Sequence, residues 1–165
     1  MPEQSVNADA ARKGKAVEHL IAASCILASG AALTASTSLV DDEGVDIVFH
    51  RRDSSKTLAV QVKSRFEGNA LLTGGRTFAT NIRDVTFRPR KDLFLLFVVV
   101  DPTEPDFGPV WLVPSERFAK RTKVNVRGRR RFAASAKPTS HDQWSDYRLD
   151  KRELTRRLLE ILDGA

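Results

Sequence analysis

At 165 residues, with 41% hydrophobic and 29% charged content, the chain is long enough for a single domain with a sizeable core, and its composition is ordinary for a soluble protein. A formal net charge of +6 and a sequence pI near 9.8 favour a polyanionic partner, nucleic acid ahead of an anionic membrane. Cys25 is the only cysteine, which excludes an intramolecular disulfide, fits a reducing compartment and, with His19, His50 and His141 scattered, leaves no zinc cluster.

Residues 1–7 are polar and expected to be disordered, with Asn7 or Asp9 capping a helix that runs to about Ser29 and stops at Gly30. Val17, Leu20, Ile21, Ser24, Leu27 and Ala28 recur at helical spacing as an inward stripe, with Glu18 at its margin. There a carboxylate either stands in water or points into a site. The segment from Leu20 to Leu33 is apolar, follows Arg12-Lys13-Gly14-Lys15 and ends in small residues, as secretory signals do. Glu18 and His19 break that pattern and Ser24, Ser29 and Gly30 dilute it, so a helix of a cytoplasmic protein is expected. No stretch reaches the ~20 apolar residues of a membrane span.

Residues 33–40 read as a first strand, and 41–44 as an acidic turn. The next two strands are 45–49 and 58–63, separated by polar residues with turn chemistry. A two-residue turn at Asp53-Ser54 pairs Ile47 with Val60, Phe49 with Leu58, Val45 with Val62 and Asp46 with Gln61, whereas a turn at Ser54-Ser55 sets Asp46 opposite Lys63 and leaves the faces unchanged. Every apolar residue of this hairpin except Val48 and Ala59 then falls on one face, and Asp46, Gln61 and Lys63 on the other. Beyond it, 73–76 suggests another hairpin turn and 76–80 a short strand. Residues 81–92 carry Arg83, Arg88, Arg90 and Lys91 and are irregular or partly helical. Leu93 to Val100 is an unbroken apolar run, the mark of a central strand covered on both faces. A strand at 110–113 and a short helix at 114–118 follow, then a basic turn and strand over 124–136. The tail after Ser140 reads as helical. Trp111 and Trp144 are expected in the core. This order implies an α/β (α+β) protein with one mixed β-sheet between an N-terminal and a C-terminal helix.

The polar face of the first hairpin has a chemistry. A carboxylate and an amide oxygen are hard ligands suited to Mg²⁺ or Mn²⁺, and a neighbouring lysine can orient water or stabilise charge on a phosphate. The same spacing also produces a plain surface salt bridge between Asp46 and Lys63.

Three pieces together resemble the PD-(D/E)XK nuclease superfamily: Gly14-Lys15-Ala16-Val17-Glu18, Gly44-Val45-Asp46-Ile47 and Val60-Gln61-Val62-Lys63. Gln61 stands where the common pattern has an acid, as in the Gln-x-Lys variant of Mrr-like members, and Glu18 is similar to the helix-borne acid of Holliday-junction-resolvase-like members. Val113-Pro114-Ser115 and Trp144 look like features of small bacterial proteins of this fold. The resemblance implies a restriction-endonuclease-like core and metal-dependent hydrolysis of DNA. Asp46 would be the principal Mg²⁺ or Mn²⁺ ligand, joined by Gln61 and the Val62 backbone carbonyl. Lys63 would position water and steady the phosphate, and Glu18 would act on the metal through water or on Lys63. It also implies a possible homodimer. The departure at Gln61 removes one negative charge, and the alternative it leaves is a catalytically degenerate module that binds DNA or a protein partner in an accessory or immunity-type role. Arg65, Arg127, Arg129, Arg130 and Arg131 are the candidates for phosphate contacts, and the basic segment from Arg83 to Lys91 is either a further one or a solvated charged surface. Little aromatic residue is interleaved with them, which speaks against a single-strand stacking platform.

Overall fold

The computed structural model describes residues 2–37, 44–68, 72–73 and 77–164. In chain order it forms α1 (Pro2–Ala28), β1 (Leu33–Thr37), β2 (Ile47–Arg51), β3 (Thr57–Phe66), β4 (Leu72–Thr73), β5 (Thr77–Arg83), β6 (Leu93–Val100), β7 (Phe107–Pro114), α2 (Ser115–Arg121), β8 (Arg129–Ser135), a 3₁₀ turn (Ser145–Tyr147), β9 (Arg148–Leu149) and α3 (Lys151–Asp163). The class is α+β, with a mixed sheet and helices at both ends of the chain.

β6 organises the rest. All eight of its residues are buried, as the unbroken apolar run predicts, so both faces need cover. It pairs in parallel with β3 and antiparallel with β7, at the centre of a six-stranded sheet ordered β1-β2-β3-β6-β7-β9. A parallel pair cannot be joined by a tight turn. The crossover from β3 to β6 leaves the sheet, and β4 and β5 form on the way. With β8 they make a separate three-stranded antiparallel sheet, β4-β5-β8, where a single mixed sheet was expected. A long crossover is often helical, but 77–83 alternates buried and exposed at period two, which suits a strand lying on a core.

Two cores result. On one face, Val17, Ile21 and Cys25 of α1 and Leu154, Leu158 and Leu162 of α3 pack on Val60, Val62, Leu96 and Leu112. On the other, the three-stranded sheet, α2 and the residue before the 3₁₀ turn bring Phe78, Phe132, Phe118 and Trp144 against Leu95, Phe97 and Trp111. Phe97 and Phe132 stack with centroids 3.6 Å apart. Both tryptophans are fully buried, as expected, and neither indole N–H finds a partner among the described groups. Ring packing therefore outweighs two unmade hydrogen bonds, each costing about 1–3 kcal/mol.

Several boundaries move. α1 begins at Pro2, so neither Asn7 nor Asp9 caps it. Asp9 instead accepts from Arg12 one turn on, in an alanine-rich stretch with high helix propensity. Gly30 ends the helix as expected, with φ +59° and Ala31 N–H donating to Ile26 O. The buried stripe, however, is Val17, Glu18, Ile21, Ala22 and Cys25, while Leu27 is 80% exposed. The tail is helical only from Lys151, where Asp150 closes a capping box with Glu153. The end of the first expected strand (38–40), the acidic turn (41–43) and the turn at 74–76 lie outside the described residues. The β4–β5 pairing that the last of these implied is present, with Thr73 opposite Thr77. Among the described residues no helix is long and apolar enough to cross a membrane.

Candidate active site

Of the two registers that the hydrophobic pattern allows, the β2–β3 hairpin takes the one with Ile47 opposite Val60 and Phe49 opposite Leu58. Past Ile47 the register slips. Asp46 donates its N–H to the carbonyl of Val60, the residue already paired with Ile47, at 2.9 Å. Its carboxylate Oδ2 accepts from the Val62 N–H at 2.6 Å. The expected pairings of Asp46 with Gln61 and Val45 with Val62 therefore give way to one side-chain bond. Local slips of this kind re-aim a side chain at the end of a ladder. Here the slip ties the carboxylate to the backbone of the strand that bears Gln61 and Lys63.

Gly44 explains how the chain enters β2. Its φ is +68°, and a Cβ there would stand 2.6 Å from Gln61 Nε2. Only glycine gives the main chain both that left-handed turn and that approach. The Gln61 side chain is consequently covered and only 9% exposed.

A groove of about 1220 Å³ opens where the first half of α1 crosses the end of β3. Glu18 and Lys15 line it from α1, Asp46 from the entry to β2, and Val62, Lys63 and Arg65 from β3. Lys13 over the Phe66 ring, 5.8 Å from its centroid, holds the helix to the strand. Glu18 is buried within the α1 stripe rather than at its margin, and its Oε2 accepts from Lys15 Nζ at 2.7 Å. Of the expected site residues, the groove thus brings together Glu18, Asp46, Val62 and Lys63, while Gln61 lies against Gly44 and does not line it.

The donor set can be tested for a metal. Among the described residues no group of three or more His, Cys, Asp or Glu side chains gathers at one point. Two carboxylates, Glu18 and Asp46, along one groove do not suit zinc. They do suit Mg²⁺, which is commonly held by one or two carboxylates and retains several waters.

The arginines divide. The Arg65 guanidinium donates to Ala79 O, Ser64 O and Thr80 Oγ1, and burial lowers its pKa. It anchors β5 to β3 at the rim of the groove. Arg130 points inward: Nε donates to Asp84 Oδ1 at 2.6 Å and NH1 to the carbonyls of Ala119 and Thr122. Both guanidinium groups are committed to the fold. Arg127, Arg129 and Arg131 are exposed.

Sequence reasoning missed three contributors. Lys15 is the partner of Glu18, visible in principle as an i, i+3 pair. Gly44 shields Gln61. Asn81 shares an outer sheet face with Arg83, Arg129 and Arg131, which only strand pairing reveals. Ser36 Oγ and His50 Nε2 are 2.8 Å apart on β1 and β2. That pair lies on an exposed strand face, away from the groove.

In comparison with known proteins, the chain matches no family model and no curated protein.

Proposed function

We propose that the groove is the active site of a metal-dependent nuclease with a restriction-endonuclease-like core, hydrolysing phosphodiester bonds in DNA. The observation that carries this reading is the convergence of Glu18, Asp46 and Lys63, from three separate elements, on one groove of a basic protein. Asp46, Glu18 and the Val62 carbonyl would hold Mg²⁺ or Mn²⁺. When bound, such an ion neutralises charge on the phosphate and lowers the pKa of a water. The chain's own residues do the rest. Val62 N–H holds the Asp46 carboxylate in orientation. Lys63 orients the attacking water and steadies the charge that builds on the phosphoryl oxygens. Lys15 donates to the Glu18 carboxylate at 2.7 Å and restrains it at the groove. Water adds to phosphorus, the bond to the leaving sugar oxygen breaks, and a phosphate monoester and a hydroxyl remain.

The test is cleavage of supercoiled plasmid, linear duplex and four-way junction by purified protein with Mg²⁺ or Mn²⁺. Cleavage is expected, and Asp46→Asn or Lys63→Ala should each lower it by at least about 100-fold. Asparagine keeps an acceptor for the Val62 N–H, so that loss would not reflect unfolding. No cleavage of any substrate with either metal would overturn the reading.

One observation favours a second reading, a non-catalytic module on the same fold: Gln61 replaces an acid and is covered by Gly44 instead of lining the groove. Calorimetry separates the two. Absent Mn²⁺ binding with retained DNA binding would select the module.

A further inference from the structure

The outer face of the β5–β8 ribbon carries arginines and no acid. Strand alternation turns Phe78, Thr80, Ile82, Phe132 and Ala134 inward and leaves Ala79, Asn81, Arg83, Arg129, Arg131 and Ala133 outward. The register sets Arg83 opposite Arg129 and Asn81 opposite Arg131. Like charges directly opposite on an antiparallel pair destabilise it. The chain does pair arginines with acids elsewhere on the same strand: Arg130, between the two, is neutralised by Asp84. Arg83, Arg129 and Arg131 form no ion pair with any described residue. The turn that presents them is built firmly. Asn125 Oδ1 accepts from the N–H groups of Arg127 and Arg129, Asn125 N–H donates to Arg129 O, and Gly128 N–H donates to Asn125 O.

We infer that this ribbon face is a docking surface for duplex DNA, with Arg83, Arg129 and Arg131 on backbone phosphates and Asn81 among them. The repulsion built into the empty ribbon is relieved when phosphates lie between the guanidinium groups. No outward side chain of β5 or β8 is aromatic, so unstacked bases have nothing to stack on, and a duplex, whose bases are already stacked, is the better fit. The major groove of B-form DNA admits a two-stranded ribbon, whereas that of A-form RNA is too deep and narrow. At a strand rise of ~3.3 Å per residue, Arg83 stands about 13 Å along β5 from Ala79, where Arg65 ties the strand to the rim of the groove. The ribbon therefore extends the candidate site. The inference rests on the nucleic-acid part of the proposed function and is independent of cleavage.

The experiment is a fluorescence-anisotropy titration of a labelled 20-base-pair DNA duplex with full-length protein in EDTA, so that no metal-dependent cleavage intervenes. The triple variant R83Q/R129Q/R131Q should bind at least about tenfold more weakly at ~0.1 M salt, and the slope of log affinity against log salt should shrink by about 2.7. It should melt no lower than wild type, since the like-charge pair is gone. R156Q/R157Q, on the opposite layer in α3, should bind as wild type does. Wild-type failure to bind duplex, an unchanged salt slope in the triple variant, an equal loss in the α3 variant, or tighter binding to single-stranded DNA or duplex RNA would each overturn the inference. Cleavage assays read the active-site proposal separately, because the groove residues are untouched.

Discussion

The two faces of the six-stranded sheet are built differently. Against α1 and α3 the packing is mostly aliphatic, with Phe49, Phe94 and Phe107 among it, and polar groups reach into it: Glu18 sits in the buried stripe, and Asp46 closes the hairpin ladder with its side chain. Against the three-stranded sheet the packing is aromatic, with rings of Phe78, Phe97, Phe118, Phe132, Trp111 and Trp144 in mutual contact. Large rings close their face completely. Aliphatic stripes end where the helix leaves the sheet, and the groove opens there. The rings lie on one side and the candidate site at the margin of the other.

The sharpest way to break that contrast is to remove one ring. Phe132→Ala should cost about 3–5 kcal/mol in urea unfolding, because Phe132 lies in the middle of the stack. Lys63→Ala, partly exposed at the groove, should stay within about 1 kcal/mol of wild type. Equal losses would erase the distinction between the faces.

Next comes the aliphatic side under alkali. Burial, only partly offset by a hydrogen bond with Thr155 and the charge of Lys151, pushes the Cys25 thiol up to about 11 from an ordinary 9.0. Below pH ~9 the thiol is neutral in both folded and unfolded chains, and its contribution is complete. Above that the unfolded chain ionises first, so stability falls until the folded thiol ionises near 11. Cys25→Ala should remove a decline of roughly 2–3 kcal/mol over that window, seen in denaturation at stepped pH.

A smaller effect is expected at the entry to β2. Gly44→Ala must hold a left-handed backbone and displace the Gln61 amide, at a cost of about 1–2 kcal/mol. A thermal melt reads the loss, and an unchanged melting temperature would show that the entry to β2 is not tightly determined. The smallest is Asp150→Ala, which removes the capping box of α3 and should cost about 1 kcal/mol. Hydrogen exchange should then rise in the first turn of α3 alone.

Much of the fold was legible because it depends on near neighbours. The apolar run of β6, the faces and register of the β2–β3 hairpin, the stop at Gly30 and the burial of both tryptophans follow from periodicity and turn chemistry. The start of α1 was missed because polar composition was weighed above the helix propensity of its alanines. Leu27 was assigned inward by spacing alone, although the stripe had already turned toward Cys25. Within the candidate site, residue types and strand placement could be read, but not the slip at Asp46, which depends on a side chain taking a main-chain partner.

By itself the sequence determined which segments must be buried and which residue types could share a hairpin, since side-chain period and turn preference act over a few residues. Only the tertiary structure decided which polar groups are already satisfied. Arg130 meets an acid 46 residues away, Arg65 takes the backbone of β5, and Arg83 faces Arg129 across a ladder that no local pattern foretells. A charge's role depends on what stands opposite it, and strand pairing, not sequence proximity, sets that.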